Sequence, residues 1–69
     1  MTAFGRWLVG QKDRKDSWIG GLASQAAKDR GFPIEGDVET VRLHLGAQGA
    51  EPELFEILDD AEIAWLRAA

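Results

Sequence analysis

Cysteine and tyrosine are absent from this 69-residue chain, histidine occurs once and proline twice. Without cysteine no disulfide braces the fold and no thiolate holds a metal, so a domain near the lower size limit for unaided folding must rest on its core alone. No apolar run approaches the roughly 18 residues of a bilayer span, and the opening MTAFGRWLVGQ lacks the long apolar stretch of a secretory signal. The expectation is a cytoplasmic protein with no membrane association. With His44 the sole histidine, zinc or copper would need carboxylates for its remaining ligands, a poor match to their preferences. No metal or other cofactor is expected, and His44 reads as a structural residue at the edge of a helix face.

What the chain does have is enough apolar material for one core: 45% of its residues are hydrophobic, three tryptophans and three phenylalanines among them. The apolar spacing is helical throughout, with no strand-like alternation and no repeat. Phe4, Trp7 and Leu8 share a face of a short first helix, with Thr2 as its expected cap and Gly10 as its stop. The run Gln11 to Asp16 has no apolar member and reads as an exposed charged loop, after which Ser17 is the expected N-cap of a second helix. That helix is expected to reach Arg30, with Gly31 as a left-handed C-cap, Phe32 folding back on the last turn and Pro33 blocking continuation. Asp37 caps a third helix with a buried stripe of Val38, Val41 and Leu45, ended by Gly46 or Gly49, and its Leu43 points away from the core. Pro52 opens a fourth helix running to about Leu66. The core face of that helix is Leu54, Leu58, Ala61 and Trp65, widened by Ile57 and Ala64 on one flank and Phe55 and Leu66 on the other.

Within the second helix, the adjacent Gly20 and Gly21 each cost roughly 1 kcal/mol against alanine. The compensation expected is close approach of the first helix, near Phe4 or Trp7. The fold class read from these patterns is all-α: a small four-helix bundle forming a single domain over residues 1–69.

With these residues placed, the chain resembles the YozE family of small bacterial proteins, which have a sterile-alpha-motif-like (SAM-like) helical fold. The resemblance rests on Phe4-x-x-Trp7-Leu8, Ile19-Gly20-x-Leu22-Ala23, Asp29-x-x-Phe32-Pro33 and the final Ala64-Trp65, in that order, and covers nearly the whole chain. The Asp-x-x-Phe-Pro element is its most specific part. Family members tend to carry tyrosine at several aromatic sites where this chain has none. The resemblance implies a SAM-like bundle and leaves function open.

Charge is divided unevenly along the chain, whose net charge is -4. Residues 1–31 hold six basic residues against three acids, a net of +3, and residues 32–69 hold two against nine, a net of -7. Such a split favours an oppositely charged protein partner or head-to-tail self-association. The candidate interaction residues are the basic loop Lys12, Arg14 and Lys15, and the acidic fourth-helix face Glu53, Glu56 and Asp60, with Leu43 and Ile63 as exposed apolar anchors. Lys28 and Arg30 at the end of the second helix, together with the basic loop and Trp18, supply the alternative of weak DNA or RNA binding if the loop folds over that helix end. Against the alternative stand a pI of about 4.7 and the interleaved Asp13, Asp16 and Asp29, while basic residues in a last helical turn already complement the helix dipole.

Catalytic chemistry finds little support. Ser17 and Ser24 would need His44 as a base, but neither sits in a nucleophile elbow, and Gly20-Gly21 lies inside a helix rather than in a phosphate loop. Asp59, Asp60 and Glu62 do not follow the spacing of a calcium loop. The reading is a non-enzymatic protein-interaction module of SAM-like type, with no small-molecule substrate.

Overall fold

The computed structural model describes residues 2–14 and 17–68, within which the chain forms four α-helices: α1 (Phe4–Val9), α2 (Trp18–Lys28), α3 (Val38–Ala47) and α4 (Pro52–Ala68). No strand occurs among the described residues, so the protein is an all-α four-helix bundle, measuring 28 × 24 × 19 Å. Among the described residues no helix is long and apolar enough to cross a membrane.

The longest helix, α4, packs against all three others. Pro52 at its first position sacrifices no hydrogen bond, because that amide would have no partner within the helix. Leu58 and Ala61 are fully buried, and Leu54, Phe55, Ile57, Ala64 and Trp65 pack around them against the same core. Leu66, expected at the edge of this apolar arc, is instead exposed.

Six residues are too few for a helix to persist in isolation, and α1 is held by what it buries. Phe4 and Leu8 are inaccessible to solvent. The Phe4 ring lies 6.0 Å from that of Trp7 and meets Trp65 edge-to-face at 5.4 Å, while the Trp65 indole Nε1 donates to the Thr2 carbonyl at 3.1 Å. The sequence suggested Thr2 as the cap of α1, but Ala3 occupies that position and no side chain caps it. A tertiary contact takes over part of the cap's role, since the free Gly5 amide in the first turn donates to the Gly36 carbonyl at 3.0 Å.

Ser17 does stand at the N-cap of α2, yet its side chain makes no capping bond and its buried Oγ has no partner among the described residues. The Gly20 amide that such a cap would serve donates instead to Ser17's own carbonyl at 3.2 Å. At the other end α2 stops at Lys28, short of the expected Arg30, and Gly31 is not left-handed. Asp29 makes the stop: its backbone is extended and its carboxylate accepts from the Gly31 amide at 3.0 Å, a local turn that turns the chain out of the helix. Phe32 then inserts into the core.

For α3 the expected start is found, with the Asp37 carboxylate accepting from the Thr40 amide at 2.8 Å. Val41 and Leu45 are buried, Val38 is half-buried and Leu43 is exposed. The helix ends at Gly49, the one described residue with positive φ (+73°). The Ala50 and Gly49 amides donate back to the Leu45 and Gly46 carbonyls at 3.1 Å each, the paired bonds of a Schellman motif.

The glycine pair divides differently from expectation. A Cβ on Gly20 would collide with the Arg14 carbonyl in the turn after α1, not with α1 itself, and a Cβ on Gly21 would meet nothing within 4 Å among the described residues. The glycine that admits a close neighbour to α1 is Gly5, where a Cβ would collide with the Pro33 carbonyl and come within 2.8 Å of that of Ile34. We therefore expect Gly5→Ala and Gly20→Ala to destabilise by about 1–3 kcal/mol, because backbone rather than a pliable side chain must move. Gly21→Ala should stabilise by about 0.5–1 kcal/mol through helix propensity. Denaturant melts of the three variants check both expectations.

Candidate functional site

Polar order and apolar openness lie in different parts of the molecule. Between α2 and α3 the backbones make no close approach, and side chains bridge the gap. Asp29 Oδ2 accepts from His44 Nε2 at 2.7 Å and from Gln48 Nε2 at 2.8 Å, while Oδ1 holds the Gly31 amide. A carboxylate only accepts, so this bond fixes a proton on His44 Nε2. The Phe32 ring stands edge-on to the imidazole at 5.9 Å. A crevice of about 180 Å³ beside this cluster is walled by Leu22, Ala26, Phe32 and Leu45. The hydrogen bond from His44, then those from Gln48 and Gly31, hold the Asp29 carboxyl below the ordinary aspartate value, and the Thr40 bonds do the same for Asp37. This cluster ties helices together, which is the structural role expected for His44. The same residue is the one possible base for Ser17 or Ser24, and its observed partner is Asp29. No group of three or more His, Asp or Glu side chains among the described residues is arranged to hold a metal ion.

The open feature lies between α2 and α4. A groove of about 440 Å³ runs between Trp18, Gly21, Leu22 and Gln25 of α2 and Glu53, Leu54 and Ile57 of α4, with Glu51 at its end. A second hollow of about 330 Å³ continues from it, sharing Trp18, Glu53 and Ile57 and adding Glu56 and Asp60. Trp18, which lines both, is 82% exposed. All three acids expected to form an interaction face, Glu53, Glu56 and Asp60, thus line one surface beside an apolar floor. None of them makes an ion pair among the described residues, whereas the acids elsewhere on the surface include Glu35, bidentate to Arg6 at 2.8–3.0 Å, and Asp59, bonded to Arg42 at 2.7 Å. The Asp59 bond holds the Arg42 guanidinium above its ordinary value.

The other candidates scatter. Ile63 and Leu43 are exposed, at 50% and 67%, but neither lines the groove. Lys12 and Arg14 occupy the turn after α1, and Lys15 lies outside the described residues. Arg14 presses its carbonyl on Gly20, near the start of α2, whereas Lys28 and Arg30 lie at and beyond the far end, about 15 Å of helix away. Among the described residues, Arg14 thus lies towards the opposite end of α2 from Lys28 and Arg30.

Sequence reasoning missed Trp18 as a groove wall and Asp29 as the partner of His44. At about 100° per residue Trp18 falls about 90° from the mean direction of Ile19, Leu22, Ala23 and Ala26, so periodicity places it at the edge of the buried face without showing that α4 borders it there. For the second, the i, i+4 placement of His44 and Gln48 on one face of α3 was the available signal.

Asp29 and Asp37 give the protein an acid limb. At a pH between the ordinary aspartate value of about 3.9 and the lowered one, the unfolded chain binds more protons than the folded one, so stability falls as pH falls; below the lowered value the contribution is gone. We expect the melting temperature to drop as the pH is taken below about 4, and Asp29→Asn to lower it at neutral pH while flattening the acid limb, as thermal melts across pH would show.

No family model, no curated protein and no solved structure matches this chain.

Proposed function

We propose that the protein is a non-enzymatic protein-interaction module, of the SAM-like kind that its resemblance to the YozE family implies. The observation that carries this reading is Trp18: the largest side-chain type in the chain stands 82% exposed beside a groove floored by Leu22, Leu54 and Ile57. Leaving so much apolar surface in water forgoes burial worth about 25 cal/mol per Å², and contiguous apolar surface rimmed by polar groups is characteristic of protein contact sites. Tryptophan is also the residue most enriched among those that dominate binding energy. The histidine, the one side chain suited to acid–base work near neutral pH, is engaged in holding α2 to α3.

Nucleic-acid binding is the competing reading, and the separation of Lys12 and Arg14 from Lys28 and Arg30 weighs against a single basic track for a phosphate backbone. A direct comparison tests the two. Titration with duplex and single-stranded DNA at low salt should give no tight complex, and a pull-down from the native host should retain a protein that the Trp18→Ala variant loses. A DNA affinity that falls steeply with salt overturns the reading in favour of nucleic acid.

A further inference from the structure

We infer that the groove between α2 and α4 receives a short protein segment in which an apolar side chain is flanked by lysine or arginine. The inference rests on the interaction reading and adds the chemistry of the partner. It follows from three features of the same surface.

The first is apolar complementarity. Trp18, Leu22, Leu54 and Ile57 form a concave surface of about 440 Å³, room for one or two aliphatic side chains but far less than a folded partner's core would need. An inserted apolar side chain gains burial against both helices and covers the Trp18 ring.

The second is charge. Glu53, Glu56 and Asp60 stand along one face of α4 beside that floor, with Glu51 at the end of the groove, and among the described residues none has a cationic partner. Glu53 lies in the first turn of α4, where a negative charge complements the helix dipole, so a structural reason accounts for it. Glu56 and Asp60 lie one and two turns further along, beyond the reach of that effect. Three like charges at i, i+3 and i+7 repel one another in the free protein, and a cationic segment converts that repulsion into attraction. The exposed indole at their edge adds a face for a guanidinium or ammonium group.

The third is Gly21. It sits inside α2, where alanine would be more stable, and no atom of the described residues comes within 4 Å of the position of its missing side chain. Among the described residues nothing offsets its cost, in contrast to Gly5 and Gly20, which admit neighbouring backbone. Gly21 lines the groove, and its bare backbone lets an incoming segment lie against the helix.

The test uses three synthetic 12-residue peptides added to the 15N-labelled 69-residue chain: one with a central Leu-Leu flanked by lysines, one with the lysines replaced by glutamate, and one with the leucines replaced by serine. The expected result is a one-to-one complex with the Leu/Lys peptide alone, seen as a shift of the Trp18 indole resonance and weakened by added salt. Glu56→Lys with Asp60→Lys should lower the affinity at least tenfold. Gly21→Leu should lower it severalfold without lowering the melting temperature, which separates obstruction of the groove from loss of fold. Binding of the Leu/Glu peptide as tightly as the Leu/Lys peptide, with the Trp18 shift, overturns the basic-partner inference and leaves the interaction reading standing. If no peptide moves Trp18, the inference fails and the groove loses its place in that reading as well. Sedimentation showing a dimer that Trp18→Ala converts to a monomer also overturns it, because the occupant is then a second copy of this chain.

Discussion

The bundle depends on one close approach: the carbonyls of Pro33 and Ile34 seat where Gly5 has no side chain, and the Gly5 amide bonds to the Gly36 carbonyl. This contact joins a helix of six residues to a connection with no regular structure, and each supplies what the other lacks. The connection satisfies part of the unprotected start of α1. In return α1 fixes the path by which Phe32 enters the core and Asp37 begins α3. A methyl group at Gly5 would press on backbone, which has no rotamer to escape into, so the tolerance of this junction is small.

Around that junction α2 is constrained at both ends and open along one side. Its beginning is fixed by the Arg14 carbonyl against Gly20, its end by Asp29 bonded to His44 and Gln48. Between these fixed points Ile19, Ala23 and Ala26 are buried in the core, while Trp18 and Gly21 face the space beside α4. A rigid helix presenting an exposed indole loses little conformational entropy when that indole is covered, which favours recognition by such a surface. The arrangement of charge has the same division. Arg6 with Glu35 and Arg42 with Asp59 are exposed pairs, each worth about 0–1 kcal/mol to the fold, whereas the acids beside the groove make no ion pair among the described residues.

Much of the fold was legible from local patterns because the elements that carry it are local. Asp37 three residues before Thr40, Pro52 at a helix start and the apolar spacing of α4 all act within one or two turns, and each appears in the structure as read except for Leu66 at the edge of the α4 arc. The failures were of one kind. Thr2, Ser17 and Gly31 are residue types suited to capping, but residue type does not decide which group makes the bond: the Gly5 amide takes the distant Gly36 carbonyl, the Gly20 amide takes the Ser17 carbonyl rather than its hydroxyl, and the Asp29 carboxylate makes the turn that ends α2. The glycine pair failed similarly, since the reason for Gly20 lies in a turn six residues earlier and that for Gly5 in a connection nearly thirty residues later.

For the candidate site the division falls between composition and geometry. The sequence by itself determined that the chain is helical, that its acids gather on the outer face of α4, and that Leu43 lies off the core, because helical periodicity assigns each residue a direction relative to its own axis. Only the tertiary structure decided that Glu53, Glu56 and Asp60 stand beside an exposed Trp18, that Lys12 and Arg14 lie apart from Lys28 and Arg30, and that Asp29 meets His44. Those relations depend on how helices are placed against one another, and in this chain the close backbone approaches at Gly5 and Gly20 involve residues outside their own helices, which helical periodicity does not encode.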